Sequence, residues 1–174
     1  MVVWLTGLSG AGKTTIANAM ANRLSSRLPE LVFLDGNVIR DLFGESLGFH
    51  EEAREEQISR IQRMAKFLVD QGQCVVVSAL YSHPDLMCWN RDNLLGYFEV
   101  LIDAPLELVQ KRDPRGLYAK AAVGEMPNIV GLDIPWHKPR EPDMVIDSTL
   151  GDSSEVVADQ IIAAVPRLSR AMDG

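Results

Sequence analysis

Hydrophobic residues along the chain fall into two alternating kinds of stretch. Five are short, continuous and rich in β-branched residues: VVWLT (2–6), LVFLD (31–35), CVVVSAL (74–80), YFEVLI (97–102) and DMVID (143–147). Turn-forming or charged residues bound each of them, which predicts buried strands. Between them apolar residues recur at helical spacing. Ile16, Ala19, Met20 and Leu24 share one helical face, as do Ile58, Ile61, Ala65 and Leu68. Further helices are predicted over 84–95, 105–112 and 153–168. Strands that alternate with helices predict a parallel sheet joined by right-handed crossovers. Residues 113–142 break the rhythm, with Pro114, Pro127, Pro135, Pro139 and Pro142 and no regular period. An irregular span of that length inside a compact domain predicts a functional lid rather than a linker. The expected architecture is α/β: a three-layer fold with a five-stranded parallel sheet, in which residues 1–174 form one domain and about 113–142 the lid.

Between the first strand and the first helix stands GLSGAGKT (7–14), which is GxxxxGK[ST] in full, with Gly7, Gly12, Lys13 and Thr14 at the fixed places. The strand–loop–helix setting is the one a P-loop needs. Glycines let the backbone wrap a phosphate chain with its N–H groups inward, and the helix that follows adds its positive end. Gly7, Leu8, Ser9, Gly10, Ala11, Gly12, Lys13, Thr14 and Thr15 are therefore the expected ATP-binding residues. Lys13, in an exposed loop, would reach the β- and γ-phosphates, and the Thr14 hydroxyl would ligate Mg²⁺. A GTPase would add NKxD, which the chain lacks. DPRG (113–116) matches DxxG but follows a helix instead of a core strand. A small-molecule kinase fits better, since it needs an acceptor pocket near the second strand and a closing lid.

Composition narrows the partners. Seventeen Lys and Arg against 24 Asp and Glu give a net charge of −7, which argues against a nucleic-acid polymer as partner while leaving room for a small anionic substrate in a locally basic site. The two cysteines, Cys74 and Cys88, have no CxxC spacing, and Cys74 lies in an apolar run where a buried free thiol is expected. No run approaches the length of a membrane span, and the N-terminus lacks a basic-then-apolar leader pattern. A cytoplasmic protein without membrane contact is expected.

The blocks GLSGAGKTTIA (7–17), LDGNVIR (34–40), LGFHEEAREEQISRI (47–61) and RDPRGLYAKAAVGEM (112–126) make the chain resemble the adenylylsulfate (APS) kinase family over nearly its whole length. That family moves a phosphoryl group from ATP to the 3′-hydroxyl of APS. The resemblance implies that Asp35 and Asn37 lie beside the metal and the acceptor hydroxyl, as catalytic residues together with Lys13. It implies that Arg40 and Arg54 hold phosphate and sulfate oxygens, for which the paired donors of a guanidinium are suited. Phe49 would stack on the acceptor base, and Gln57 occupies the place of a substrate-contacting asparagine. Arg112 and Lys120 would close over the transferring phosphates. A homodimer is compatible with the resemblance. His50, His83 and His137 are scattered along the chain and receive no role.

The chain also departs from the family pattern. DGD reads DGN, so Asn37 replaces a carboxylate and can neither take a proton nor neutralise Mg²⁺. NFTGIDSPYE reads NIVGLDIPWH (128–137), so Ile129 replaces the aromatic that would face Phe49 across the base. ISPYR after the third strand is represented by LYSHPDLMCWNR (80–91), with the arginine missing from its place, and two basic lid positions become Ala119 and Ala122. The ATP half of the expected site is intact and the acceptor half is edited. A sister 3′-kinase of another modified nucleotide, such as cytidine diphosphoramidate, is the alternative acceptor reading, with WNR (89–91) as a shared segment. A non-catalytic ATP-binding regulatory module is the alternative of a different class.

Overall fold

The computed structural model describes residues 1–44 and 47–173, so residues 45, 46 and 174 of the expected domain lie outside the described residues. Along the chain run β1 (Val2–Thr6), α1 (Lys13–Leu24), β2 (Leu31–Asp35), α2 (Gly36–Leu42), α3 (Glu51–Asp70), β3 (Cys74–Ser78), α4 (Pro84–Asn93) and β4 (Tyr97–Asp103). They are followed by α5 (Leu106–Arg112), α6 (Leu117–Ala122), β5 (Met144–Asp147), α7 (Ser154–Ala164) and α8 (Pro166–Asp173). The five strands form one sheet in the order β2-β3-β1-β4-β5, and every adjacent pair is parallel. Because β1 is flanked by β3 and β4, the chain leaves it in one direction to build β2 and β3 and in the other to build β4 and β5. The carboxyl end of such a central strand opens into a crevice, the usual place for a ligand in open α/β sheets.

Central position explains the unbroken apolar run of β1: Val2, Val3, Trp4 and Leu5 are fully buried, each worth about 1.5–3 kcal/mol relative to exposure. Helix α1 packs against α7 and α8, while α3 packs against α2, α4 and β3, giving the two helical layers. The apolar faces read from the sequence are the ones buried, with Ile16, Ala19, Met20 and Leu24 on α1 and Ile58, Ile61 and Ala65 on α3.

Several boundaries differ from the sequence expectation. Strand β3 ends at Ser78; the Ala79 amide still donates to the Leu5 carbonyl of β1 at 3.0 Å, and Ala79 and Leu80 continue into the cleft lining. The helix expected over 153–168 is two helices, since Pro166 has no N–H to continue the first and opens the second. Helix α4 ends at Asn93, before Leu94 turns extended. Residues 113–142 are less irregular than their prolines suggest, for α6 forms within them. Asp113 starts that turn by accepting the Leu117 and Ala119 amides at 2.8 and 2.9 Å. The short α2 carries too few apolar positions to show a period, yet Asp35 caps it by accepting the Asn37 and Val38 amides.

Candidate active site

The P-loop runs from the end of β1 into α1, and its backbone explains its glycines. A Cβ on Gly7 would come within 2.5 Å of the Ile102 carbonyl oxygen on β4, so only a bare α-carbon fits. Gly12 caps α1 with a φ of 103°, a conformation side chains rarely adopt. Lys13 opens the helix. Contrary to the exposed position expected from sequence, it is buried at 9% exposure, with Nζ donating to the Gly7 carbonyl at 2.7 Å and the Leu8 carbonyl at 2.9 Å. Burial pushes its pKa down to about 8, with Asp35 opposing and Arg115 reinforcing the shift.

Asp35, at the carboxyl end of β2, brings the second strand to the loop. Its Oδ2 accepts the Thr14 hydroxyl at 2.6 Å, and the Ser78 hydroxyl lies 3.5 Å from that of Thr14. Burial pushes the Asp35 carboxyl up, but hydrogen bonds from Thr14 and the Asn37 and Val38 amides outweigh it and hold the pKa below its ordinary value. The group is thus a carboxylate at neutral pH. Ser78 pairs with Asp35 in the sheet register, a neighbour that no sequence motif announced. Asn37 is exposed on the same side and lines the cleft.

A cleft of about 250 Å³ joins this corner to the acceptor residues expected from sequence. Gly12, Lys13 and Thr14 lie at one end; Arg40, Phe49, Arg54 and Gln57 line the other. Arg40 and Arg54 are not solvated helix charges. Arg40 Nη1 donates to the Leu47 and Gly48 carbonyls at 3.0 and 2.7 Å. Arg54 donates to the carbonyls of Phe49 (2.8 Å) and Asn128 (2.6 Å). Both guanidiniums lie over the Phe49 ring, 4.7 and 5.8 Å from its centre. Two cations therefore meet, with no carboxylate among the described residues hydrogen-bonded to either, and the Arg54 pKa falls to about 10 through burial and then repulsion by Arg40. Such a pair is built to receive anionic oxygens. Gln57 is buried; its Nε2 donates to the Gly36 carbonyl at 3.0 Å, while Oε1 has no partner among the described residues.

Other expected residues are not gathered here. Ile129 is only 3% exposed and packs in the core instead of facing Phe49 across the cleft. The reason is local: the Asp133 carboxylate accepts the Asn128 and Ile129 amides and curls this stretch inward. Lys120 is exposed on α6, outside the cleft lining. Arg112 borders a second cavity of about 360 Å³ across the P-loop, with Gly12, Thr15, Asp147 and Ser148, where its Nη2 donates to the Ser148 carbonyl. Residues of 113–142 that do reach the main cleft are Pro114 and Arg115, and the Tyr118 hydroxyl donates to the Ser9 carbonyl at 3.1 Å. Sequence reasoning also missed Tyr81, on the cleft floor, and the meeting of His83 with His137, whose ring centres are 4.9 Å apart.

Residues 1–147 match the family profile described as adenylylsulphate kinase. The chain belongs to the adenylylsulphate kinase family. Members are ATP-dependent phosphotransferases. Among curated relatives, a probable adenylyl-sulfate kinase of Halalkalibacterium halodurans is 42% identical over 84% of this chain and 74% of its own. A cytidine diphosphoramidate kinase of Campylobacter jejuni is 35% identical over 92% of this chain and 94% of its own. The structure of Mycobacterium tuberculosis APS kinase in complex with AMPPNP and APS superposes with a TM-score of 0.87 at 32% identity, covering 95% of this chain and 96% of that one.

The WNR segment does not discriminate between these relatives through the site. Asn90 is fully buried, accepting from Gln62 Nε2 at 2.9 Å and donating to the Tyr97 hydroxyl, and Arg91 pairs with Glu99 and Asp143. These residues fasten α4 to α3 and β4, outside the cleft lining.

Proposed function

We propose that the protein transfers the γ-phosphoryl group of ATP to the 3′-hydroxyl of adenylylsulfate. The observation that carries this reading is the cleft that the P-loop shares with an arginine pair lacking carboxylate partners among the described residues. The new bond joins the acceptor oxygen to the γ-phosphorus, the bond to the β-bridging oxygen breaks, and ADP leaves. Lys13, released from the Gly7 and Leu8 carbonyls, turns its ammonium to the phosphates, and the P-loop amides hold the rest of the chain. Asp35 is the carboxylate available to accept the acceptor hydroxyl's proton, while Asn37 orients that hydroxyl without taking the proton. Arg40 and Arg54 hold the phosphosulfate, Phe49 supports the base and Gln57 presents Oε1 to the acceptor. Positioning and charge neutralisation supply most of such a reaction.

One carboxylate and two hydroxyls, from Asp35, Thr14 and Ser78, fit a Mg²⁺ ion that keeps most of its ligands as water and phosphate. Thr14 would hold it with Asp35 near by, and when bound it neutralises phosphate charge. Arg112 serves the donor nucleotide from the second cavity. Segment 113–142 closes over the phosphates, bringing Lys120 with it, within one catalytic domain. The cytoplasm, where ATP is held, is the setting of this reaction.

A second acceptor, cytidine diphosphoramidate, is favoured by one observation: the similarity to a cytidine diphosphoramidate kinase across 92% of this chain. Catalysis is favoured over a purely regulatory role by the Thr14–Asp35 pair beside Lys13. The test measures ADP release with a panel of nucleotide acceptors. Adenylylsulfate should support turnover, and Arg54→Ala should weaken its binding by about 1.5–3 kcal/mol, the worth of a charged hydrogen bond, with ATP affinity little changed. Turnover with cytidine diphosphoramidate alone would overturn the adenylylsulfate reading.

A further inference from the structure

Three separate stretches meet behind the cleft lining, which one of them, through Tyr81, helps to form. Tyr81 comes from the loop after β3, Glu51 from the start of α3, and His137 from the end of segment 113–142. The Tyr81 hydroxyl donates to Glu51 Oε1 at 2.7 Å, and His137 Nε2 stands 3.5 Å from the same oxygen. The rings of Tyr81 and His137 meet edge to face at 5.8 Å, and Ser82 Oγ fastens the His137 carbonyl at 2.7 Å. Tyr81 is 2% exposed yet lines the cleft, so its ring is held in one place.

The inventory of donors and acceptors decides what this wall can recognise. A tyrosine has one hydroxyl hydrogen, and here it is spent on Glu51. The imidazole nitrogen facing the same carboxylate is the one that carries hydrogen. What remains for a ligand at the one member of the trio that lines the cleft is acceptor capacity, the lone pairs of Tyr81 Oη. A phosphate or a keto oxygen would meet only lone pairs there, whereas an amino group would find partners. Anionic oxygens are provided for elsewhere, by Arg40 and Arg54. Phe49, the ring proposed to support the base, lies two residues before Glu51 in the chain and shares the cleft with Tyr81.

We infer that Tyr81, braced by Glu51 and His137, selects acceptor nucleotides whose base carries an exocyclic amino group, adenine or cytosine, over their keto counterparts. The inference rests on the proposed nucleotide-kinase reading but is indifferent to which of the two amino bases is used. Tyr81 is the recognising group, Glu51 orients its hydroxyl and His137 positions Glu51. A site built around one polar group rejects an analogue lacking it, because its own polar atoms are then left unpaired.

The test titrates the full chain, loaded with a non-hydrolysable ATP analogue, with AMP, IMP, CMP and UMP in a calorimeter. Within each pair the amino base should bind about tenfold or more tightly. Tyr81→Phe keeps the ring and should reduce that ratio below about threefold, leaving affinity for the ATP analogue unchanged. Glu51→Gln, whose amide can donate, should narrow or invert the ratio and covers the case in which the tyrosine variant folds poorly. A wild-type ratio near one, or a ratio that survives both substitutions, overturns the inference. CMP binding far better than AMP would sink the adenylylsulfate reading and leave the amino-group selection standing.

Discussion

Lys13 should cost the nucleotide-free protein stability, and its removal should make the fold stronger while abolishing its chemistry. The ammonium is buried and held by two carbonyl oxygens, with no carboxylate among the described residues in hydrogen-bond contact. Its pKa drops from 10.5 to about 8, chiefly by burial. At about 1.4 kcal/mol per pH unit, keeping it protonated at pH 7 costs the folded state about 3 kcal/mol. Lys13→Met retains the stem and removes the charge, but leaves the Gly7 and Leu8 carbonyls without that donor, which returns about 1–2 kcal/mol. The variant should therefore be about 1–2 kcal/mol more stable than wild type in urea unfolding at pH 7. Between pH 8 and 10.5 the folded wild type sheds the proton while the unfolded chain keeps it, so wild-type stability rises with pH in that window. By pH 9.5 about 2 kcal/mol of the penalty has gone, and the variant's advantage should vanish or reverse. Turnover should fall at least about 10²-fold. A variant less stable than wild type at pH 7, or a difference that does not move between pH 7 and 9.5, would refute the reasoning.

Two further substitutions test the architecture around the site. Ile129→Phe should not simply restore a second stacking ring; Ile129 is 3% exposed in the core, so the larger side chain should overpack and cost about 1–3 kcal/mol, read as a lowered Tm before any change in acceptor preference. Gly7→Ala drives a methyl within 2.5 Å of the Ile102 carbonyl oxygen. It should lower the urea midpoint by an amount corresponding to about 3 kcal/mol or more, whether or not nucleotide is present.

What the sequence could reveal depended on how far apart the cooperating groups lie along the chain. The P-loop was legible because its glycines, lysine and threonine are covalent neighbours whose spacing follows directly from one turn of backbone. The strands were legible because β1 and β3 are buried on both faces and carry no polar interruption until their last residues. Arg40, Phe49 and Arg54 could be assembled because they lie within fifteen residues of one another, in blocks shared with a known family. Tyr81, Glu51 and His137 could not, since their contact depends on where two loops and a helix start come to rest. The burial of Lys13 was equally hidden: its partners are main-chain carbonyls, which leave no trace in residue type. Ile129 was misplaced for a related reason, because the curl that draws it inward is fixed by Asp133 binding backbone amides.

Segment 113–142 is fastened at both ends. Near its start, Tyr118 is tied to the Ser9 carbonyl of the P-loop. At its far end, Arg91 grips the Glu141 carbonyl at 2.7 Å, and Asp143 is clasped by Arg91 and by the Glu99 amide. In mechanical terms this is a strap stitched along its length and not a flap on one hinge, for between the two ends Arg54 holds the Asn128 carbonyl, Ser82 the His137 carbonyl and Lys138 the Asp103 carboxylate. Arg91, outside the cleft lining, would on this geometry anchor the far end of a segment whose near end touches the P-loop, and so couple the β4 side of the sheet to the site.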